Sequence, residues 1–246
     1  MRCLIISDIH ANLAAFNAVL ADAGEFDVAW CLGDMVGYGP DPNECIERLR
    51  AFSHVCIAGN HDCAVLGRVD VEDFNPEAQR ASLWTRQQLT PDNLAYLESV
   101  PDSLVEEEKF TLVHGSPRQP IWEYILYPSI AKPNFAHFGT RFCFVGHTHA
   151  PAIFRYRRTD EDTHVCEAIR VPYAHTLPLG EDRLIINPGS VGQPRDGDAR
   201  ASYAILDTDA LTLEYRRIYY PVEVTQARMD AAGLPVRLIT RLSYGW

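Results

Sequence analysis

The chain has 246 residues, 47% hydrophobic, 22% charged and 10% aromatic, which excludes a disordered chain and is long enough to close a core without disulfides. With 22 Lys and Arg against 33 Asp and Glu, the net charge of −11 argues against a nucleic-acid partner, and any anionic substrate needs a local positive field such as a metal site supplies. No apolar run approaches the ~18 residues of a membrane span, and the first apolar residues turn polar at Ser7-Asp8, too soon for a secretory signal.

Cys3–Ile6 reads as a buried parallel strand. Leu13, Phe16, Val19 and Leu20 follow at helical spacing, stopped at Gly24. Val28–Leu32 is the second strand; Asp41 and Pro42 cap and open a helix carrying Cys45, Ile46 and Leu49 on one face; Val55–Ala58 is the third strand. This β-α-β-α-β opening implies a largely parallel sheet. Asn75-Pro76 and Thr90-Pro91 start two further helices, Glu77–Leu89 and Asp92–Glu98. Strands return at Phe110–Val113 and Phe142–Val145, with the proline-rich stretch Arg118–Gly139 between them read as an irregular loop with short helical pieces. Ile153–Tyr156, Val165–Val171, Leu184–Ile186, Tyr203–Leu206 and Leu211–Ile218 predict a second, more antiparallel sheet, and Val222–Ala232 a final helix before Gly233. Without a repeat or linker, residues 1–246 are expected to form one domain. Seven cysteines with no C-x-x-C pair predict buried reduced thiols and a cytoplasmic location.

The polar clusters fall at strand ends. Ser7-Asp8-Ile9-His10, Gly33-Asp34, Gly59-Asn60-His61-Asp62, His114-Gly115 and Gly146-His147-Thr148-His149 each follow a buried run directly. Open α/β sheets place ligands at that carboxyl edge. Any one cluster could be turn or capping chemistry; five at corresponding ends point to one site. Carboxylate, imidazole and amide donors suit manganese, iron or zinc. Asp8, His10, Asp34, Asn60, His114, His147 and His149 are too many for one tetrahedral ion, but suffice for two divalent ions sharing a carboxylate. Such a pair holds a bridging hydroxide and clamps an in-line phosphoryl displacement.

The ordered pattern Asp8-x-His10, Gly33-Asp34, Gly59-Asn60-His61-Asp62, His114-Gly115 and Gly146-His147-x-His149 resembles the calcineurin-like metallophosphoesterases, over Ile5 to Arg195. The resemblance implies an α/β fold, a four-layer αββα sandwich of two mixed sheets packed face to face with flanking helices. It implies that Asp8, His10, Asp34 and His149 hold one metal, that Asp34, Asn60, His114 and His147 hold the second, and that His61 is the catalytic histidine. Phosphoprotein phosphatases of this family follow the bridging aspartate with D-x-x-D-R-G; here Gly37 and Tyr38 stand where the second Asp and the Arg would be, which counts against a phosphoprotein substrate. Asp34–Pro42, His114–Tyr124 and Asn187–Arg195 instead resemble a small bacterial and archaeal branch of phosphodiesterase-like enzymes, related to diadenosine tetraphosphatases. The expected substrate is a small phosphoester, a phosphodiester or nucleotide. The same fold serves as a non-catalytic scaffold in the eukaryotic retromer complex with altered site residues, whereas here every ligand position and His61 keep the catalytic type. A metal or nucleotide sensor would keep the ligands too, so turnover is the discriminating observation.

Asn187–Ser190 follows a further strand end, from which Arg195 could reach a substrate phosphate or simply face solvent. Trp122, Tyr124 and Tyr127 could form a stacking wall for a base, a dimer contact or core packing. Arg155, Arg157 and Arg158 beside Asp160, Glu161 and Asp162 read as a solvated hairpin rather than a phosphate clamp.

Overall fold

A computed structural model describes residues 1–159, 163–173 and 175–246. The alternating N-terminal signals become β1 (Arg2–Ile6), α1 (Leu13–Ala23), β2 (Val28–Cys31), α2 (Pro42–Arg50) and β3 (His54–Cys56). The Asn12 side chain caps α1, and Pro42 takes the first turn of α2. β3 ends at Cys56 rather than Ala58, and a helix absent from the sequence reading follows, α3 (Asn60–Leu66). Its start is set by a polar cap, the Asp62 carboxylate accepting from the Gly59 N–H at 3.0 Å. Its apolar tail, Cys63–Leu66, is too short to show a helical period.

Next come α4 (Pro76–Gln88) and α5 (Pro91–Ser99), capped by Asn75 and Thr90 as their Asn-Pro and Thr-Pro starts require. β4 (Ser103–Glu106) was not expected; it alternates exposed and half-buried residues, and Leu104-Val105 is too short an apolar run to signal a strand. The remaining elements are β5 (Phe110–Val113), α6 (Pro128–Asn134), β6 (Phe142–Phe144), β7 (Ala152–Arg158), β8 (His164–Ile169), β9 (Thr176–Pro178), β10 (Arg183–Asn187), β11 (Ala201–Asp207), β12 (Thr212–Ile218), α7 (Val222–Ala231) and α8 (Val236–Arg241). Asp160, Glu161 and Asp162 lie outside the described residues; Arg155 and Arg157 both pair with Glu167 on β8, at 2.6 and 3.1 Å.

The strands form two mixed six-stranded sheets, ordered β3-β2-β1-β11-β12-β9 and β4-β5-β6-β10-β7-β8. In β1, Cys3 and Ile5 point to one side and Leu4 and Ile6 to the other, and all four are buried. Cys3, Ile5, Trp30 and Leu32 meet Phe110, Leu112, Phe142, Phe144 and Ile186 of the second sheet, so this core lies between the sheets. Leu4, Ile6 and Cys31 pack instead under α1 and α2 through Phe16, Val19, Cys45 and Leu49. On the far face, Val113, Cys143 and Ile185 pack under α6. Burial on both faces explains why these strands read as continuous apolar runs, and the result is the layered α/β sandwich expected. β1, β2 and β3 run parallel, as do β5, β6 and β10, which gathers their carboxyl ends at one edge. All seven cysteines are free thiols. Among the described residues no helix is long and apolar enough to cross a membrane.

Candidate metal centre

The loops after β1, β2, β5 and β6 and the first turn of α3 bring together all seven residues singled out as ligands. Asp8, His10, Asp34 and His149 present donor atoms within 4.8 Å of one another, and Asp34, His114 and His147 do the same. Asp34 belongs to both groups. Its Oδ2 lies 3.6 Å from His10 Nε2 and 3.3 Å from His114 Nε2. Asn60 joins the second group, its Oδ1 3.1 Å from His114 Nε2.

Hydrogen bonds from the opposite ring nitrogens aim the imidazoles. His10 Nδ1 donates to the Val36 carbonyl at 3.1 Å, His114 Nδ1 to Leu32 at 2.7 Å and His149 Nδ1 to Gln193 at 2.5 Å, while His147 Nε2 donates to Trp122 at 3.2 Å. Each ring is thereby left with a lone pair facing the centre. His10 Nε2 then stands 3.1 Å from His149 Nε2, and His114 Nε2 3.2 Å from His147 Nδ1. Two facing lone pairs repel unless a cation or a proton lies between them. Asp8 Oδ1 and Asp34 Oδ2 are also buried without a hydrogen-bond partner. Orphaned carboxylate oxygens and paired nitrogen lone pairs fit divalent cations, and the oxygen–nitrogen donor set matches manganese, iron or zinc.

The protonation balance follows the same logic. Burial pushes Asp8 up to about 7 and pulls His147 down to about 3. His114 is opposed by burial yet lifted to about 10 by Asp34, whose Oδ2 lies 3.3 Å from its Nε2, so this pair draws positive charge to the place where the donor atoms meet. Burial acts upward on Asp34, but His114 and His61 hold it well below the usual carboxylate range.

The backbone is bent to make this possible. Asp8, His10, Asp34, His147 and His149 all have φ between 48° and 64°, a left-handed conformation that non-glycine residues adopt at a cost of roughly 1–3 kcal/mol each. Asp62, named in the sequence only as a neighbour, fixes the turn at Asp34 by accepting from the Asp34 N–H at 2.8 Å and the Val36 N–H at 3.2 Å. A Cβ on Gly59 would lie 2.1 Å from Asp34 Oδ1, so a glycine is required for that close approach. The Asn187–Ser190 turn braces the loops: Asn187 Nδ2 donates to the Gly146 carbonyl at 2.7 Å, and Ser190 Oγ to the Asp8 carbonyl at 2.9 Å.

His61 is buried beside the clusters, its ring edge-on to that of His10 at 5.0 Å between centroids. Its N–H donates to Asp34 Oδ1 at 2.8 Å, its Nδ1 has no partner, and its ring lies 4.2 Å from Tyr38 between centroids. Burial pulls its imidazole down to about 4, so the ring is neutral at pH 7 and offers an N–H donor rather than a cation. Arg195 is not a surface arginine: its Nε is buried, and Nη2 donates to Gln193 Oε1 at 2.9 Å and more weakly to the Tyr38 hydroxyl at 3.4 Å.

The aromatic segment divides its roles. Tyr124 stacks on His147 at 4.0 Å between centroids, Trp122 packs against Phe74 at 5.0 Å, and Tyr127 is exposed. Nothing in the sequence assigns these contacts residue by residue, because they depend on where the irregular loop folds back. Arg241 on α8 also borders the site, and a single arginine in a C-terminal helix carries no motif.

The architecture and site can be set beside known proteins. A chain from Sphaerobacter thermophilus, whose crystal structure is described as a metallophosphoesterase, is 50% identical, with a TM-score of 0.87 over 100% of this chain and 99% of that one. An uncharacterized protein of Methanocaldococcus jannaschii is 38% identical over 98% of this chain and 97% of its own. A hypothetical protein from Pyrococcus horikoshii shares the fold at 20% identity, with a TM-score of 0.76 over 100% of this chain and 98% of that one. Residues 1–211 match the calcineurin-like phosphoesterase superfamily domain, and the chain belongs to that family.

Proposed function

We propose that this protein is a phosphoester hydrolase working with two divalent ions on a small phosphodiester or nucleotide. The observation that carries the reading is the sharing of Asp34 by two groups of ligand-type atoms, each with facing imidazole nitrogens. Asp8, His10, Asp34 and His149 would hold one ion, and Asp34, Asn60, His114 and His147 the other. When bound, divalent metals supply Lewis acidity toward phosphoryl oxygens and a nucleophilic water at neutral pH. The chain itself orients and donates. His61, neutral and fixed through its backbone to Asp34, donates a hydrogen bond from its ring N–H toward the oxygen that leaves. Arg195, held against Tyr38, brings a guanidinium to the substrate phosphate from a different loop than the one phosphoprotein phosphatases use. Tyr38, in place of that family's arginine, packs on His61 and narrows the mouth, which favours small substrates. The free thiols support a cytoplasmic location.

The test is hydrolysis of bis(4-nitrophenyl) phosphate, 4-nitrophenyl phosphate and a phosphopeptide in added manganese at matched concentration. Turnover of the small esters, abolished by chelation, is expected. Faster cleavage of the phosphopeptide would overturn the substrate class, and binding of metal without any turnover would favour a sensor.

A further inference from the structure

A cavity of about 560 Å³ opens beside the ligand clusters, lined among others by Tyr38, Tyr124, Arg195, Arg237 and Arg241. It adjoins the site directly, since Tyr38 lies 4.7 Å from His10 and Tyr124 4.0 Å from His147 between ring centroids. Three arginines converge here in a chain of net charge −11. Among the described residues, Arg195 has no carboxylate partner, Arg241 binds only a main-chain oxygen of the final residue, Trp246, and Arg237 lies loosely, 3.7 Å, from Glu77. Burial, and then the charge of Arg195, pull Arg241 down to about 10.

These side chains are not loosely placed. Leu238, Ile239 and Leu242 anchor α8 against Tyr38, Ala78, Ala81 and Met229, and Arg241 Nε donates to the Trp246 carbonyl. Tyr244 and Trp246 stack on each other at 5.1 Å and present exposed rings at the rim. Half-buried Arg195 and Arg241 and the more exposed Arg237, gathered at one cavity next to aromatic faces, form a receptor for phosphate attached to a ring-bearing group. All of α8 lies beyond residue 211, where the match to the family ends.

We propose that this cavity is a second phosphate site, in which Arg241, with Arg237, holds a phosphate of the substrate other than the one cleaved, next to the phosphate that Arg195 meets. The substrate class is then a nucleotide carrying at least two linked phosphates, with α8 as the element that selects it. The proposal rests on the phosphoester-hydrolase reading above and names which esters that site prefers.

The experiment uses the manganese-loaded chain, with ADP and AMP as competitive inhibitors of bis(4-nitrophenyl) phosphate hydrolysis. ADP, with its second phosphate, should bind at least about tenfold more tightly than AMP, the scale of one charge-assisted hydrogen bond. R241Q should erase most of that difference, R241K should restore much of it, and the more exposed R237Q should shift it less, in the same direction. Equal inhibition by ADP and AMP in the unaltered chain, or an R241Q variant of unchanged melting temperature that keeps the full ratio, would overturn the proposal. If the diester is not hydrolysed, the enzyme reading fails by itself; calorimetric affinities for ADP and AMP, which need no turnover, then decide the pocket by the same ratio.

Discussion

Asp34→Asn isolates the feature on which the paired site depends. The Asp34 Oδ1 atom is occupied, accepting from the His61 N–H at 2.8 Å, while Oδ2 is buried without a partner between His10 and His114. An asparagine keeps its oxygen on the His61 N–H and so turns its NH2 toward the two ligand groups. That removes one anionic donor from each group and aims a donor hydrogen at any cation. Loss of a group that merely braces a ligand costs about 10–100-fold in metal affinity, so loss of the shared ligand should cost at least ~100-fold for each ion, about 2.7 kcal/mol. Asp8→Asn is the internal control, because Asp8 belongs to the first group only. Metal content per chain after equilibration at fixed free manganese should fall at both positions in D34N and at one in D8N. Circular dichroism should show both variants folded. A D34N chain that keeps its full complement of either ion refutes the shared-ligand geometry.

Other consequences follow from neighbouring residues. His61→Ala should keep both metals yet lose roughly 10²–10⁴-fold activity on an alkyl ester, with a smaller loss on a nitrophenyl ester whose oxygen departs unaided; loss of a metal instead would make His61 a ligand. Gly59→Ala drives a methyl group onto Asp34 Oδ1, 2.1 Å away before relaxation, and should lower stability by about 1–3 kcal/mol together with metal content, read by thermal melting and metal analysis. Glu123, bound by Arg118, Asn134 and Ser116, is held down to about 2 from its ordinary 4.5. Because the folded chain lowers this pKa, its contribution to stability is fully present above about 4.5 and disappears as pH falls through about 2. The melting-temperature gap between the native chain and Glu123→Gln should therefore close between pH 4.5 and 2, and a gap constant across that window would refute this role.

Much of the site was legible because its ligands sit where chemistry and topology coincide. Asp8, His114 and His147 each follow a strand buried on both faces, so an apolar run ending in a ligand-type residue marks the sheet edge. Asn60 and His61 were placed at the right edge, but the helix they begin was not expected, since α3 is started by the Asp62 cap and has too few apolar residues to announce itself. The lowering of the His61 ring by burial is a property of its folded surroundings, Tyr38 and Phe74 among them, and not of its residue type. Arg195 was singled out, yet its burial was not readable, because it depends on Tyr38 from another loop. Arg241 was invisible in sequence for the same reason: its neighbour Arg195 is brought close only by the packing of α8.

The most direct test of the account is a titration of manganese into chelator-stripped protein, following bound metal and diester hydrolysis together. Activity should be absent at zero metal and rise to its plateau as the second ion binds to each chain. Full activity without metal, or a plateau in both signals at a single ion per chain, would contradict a phosphoester hydrolase built on two ions that share Asp34.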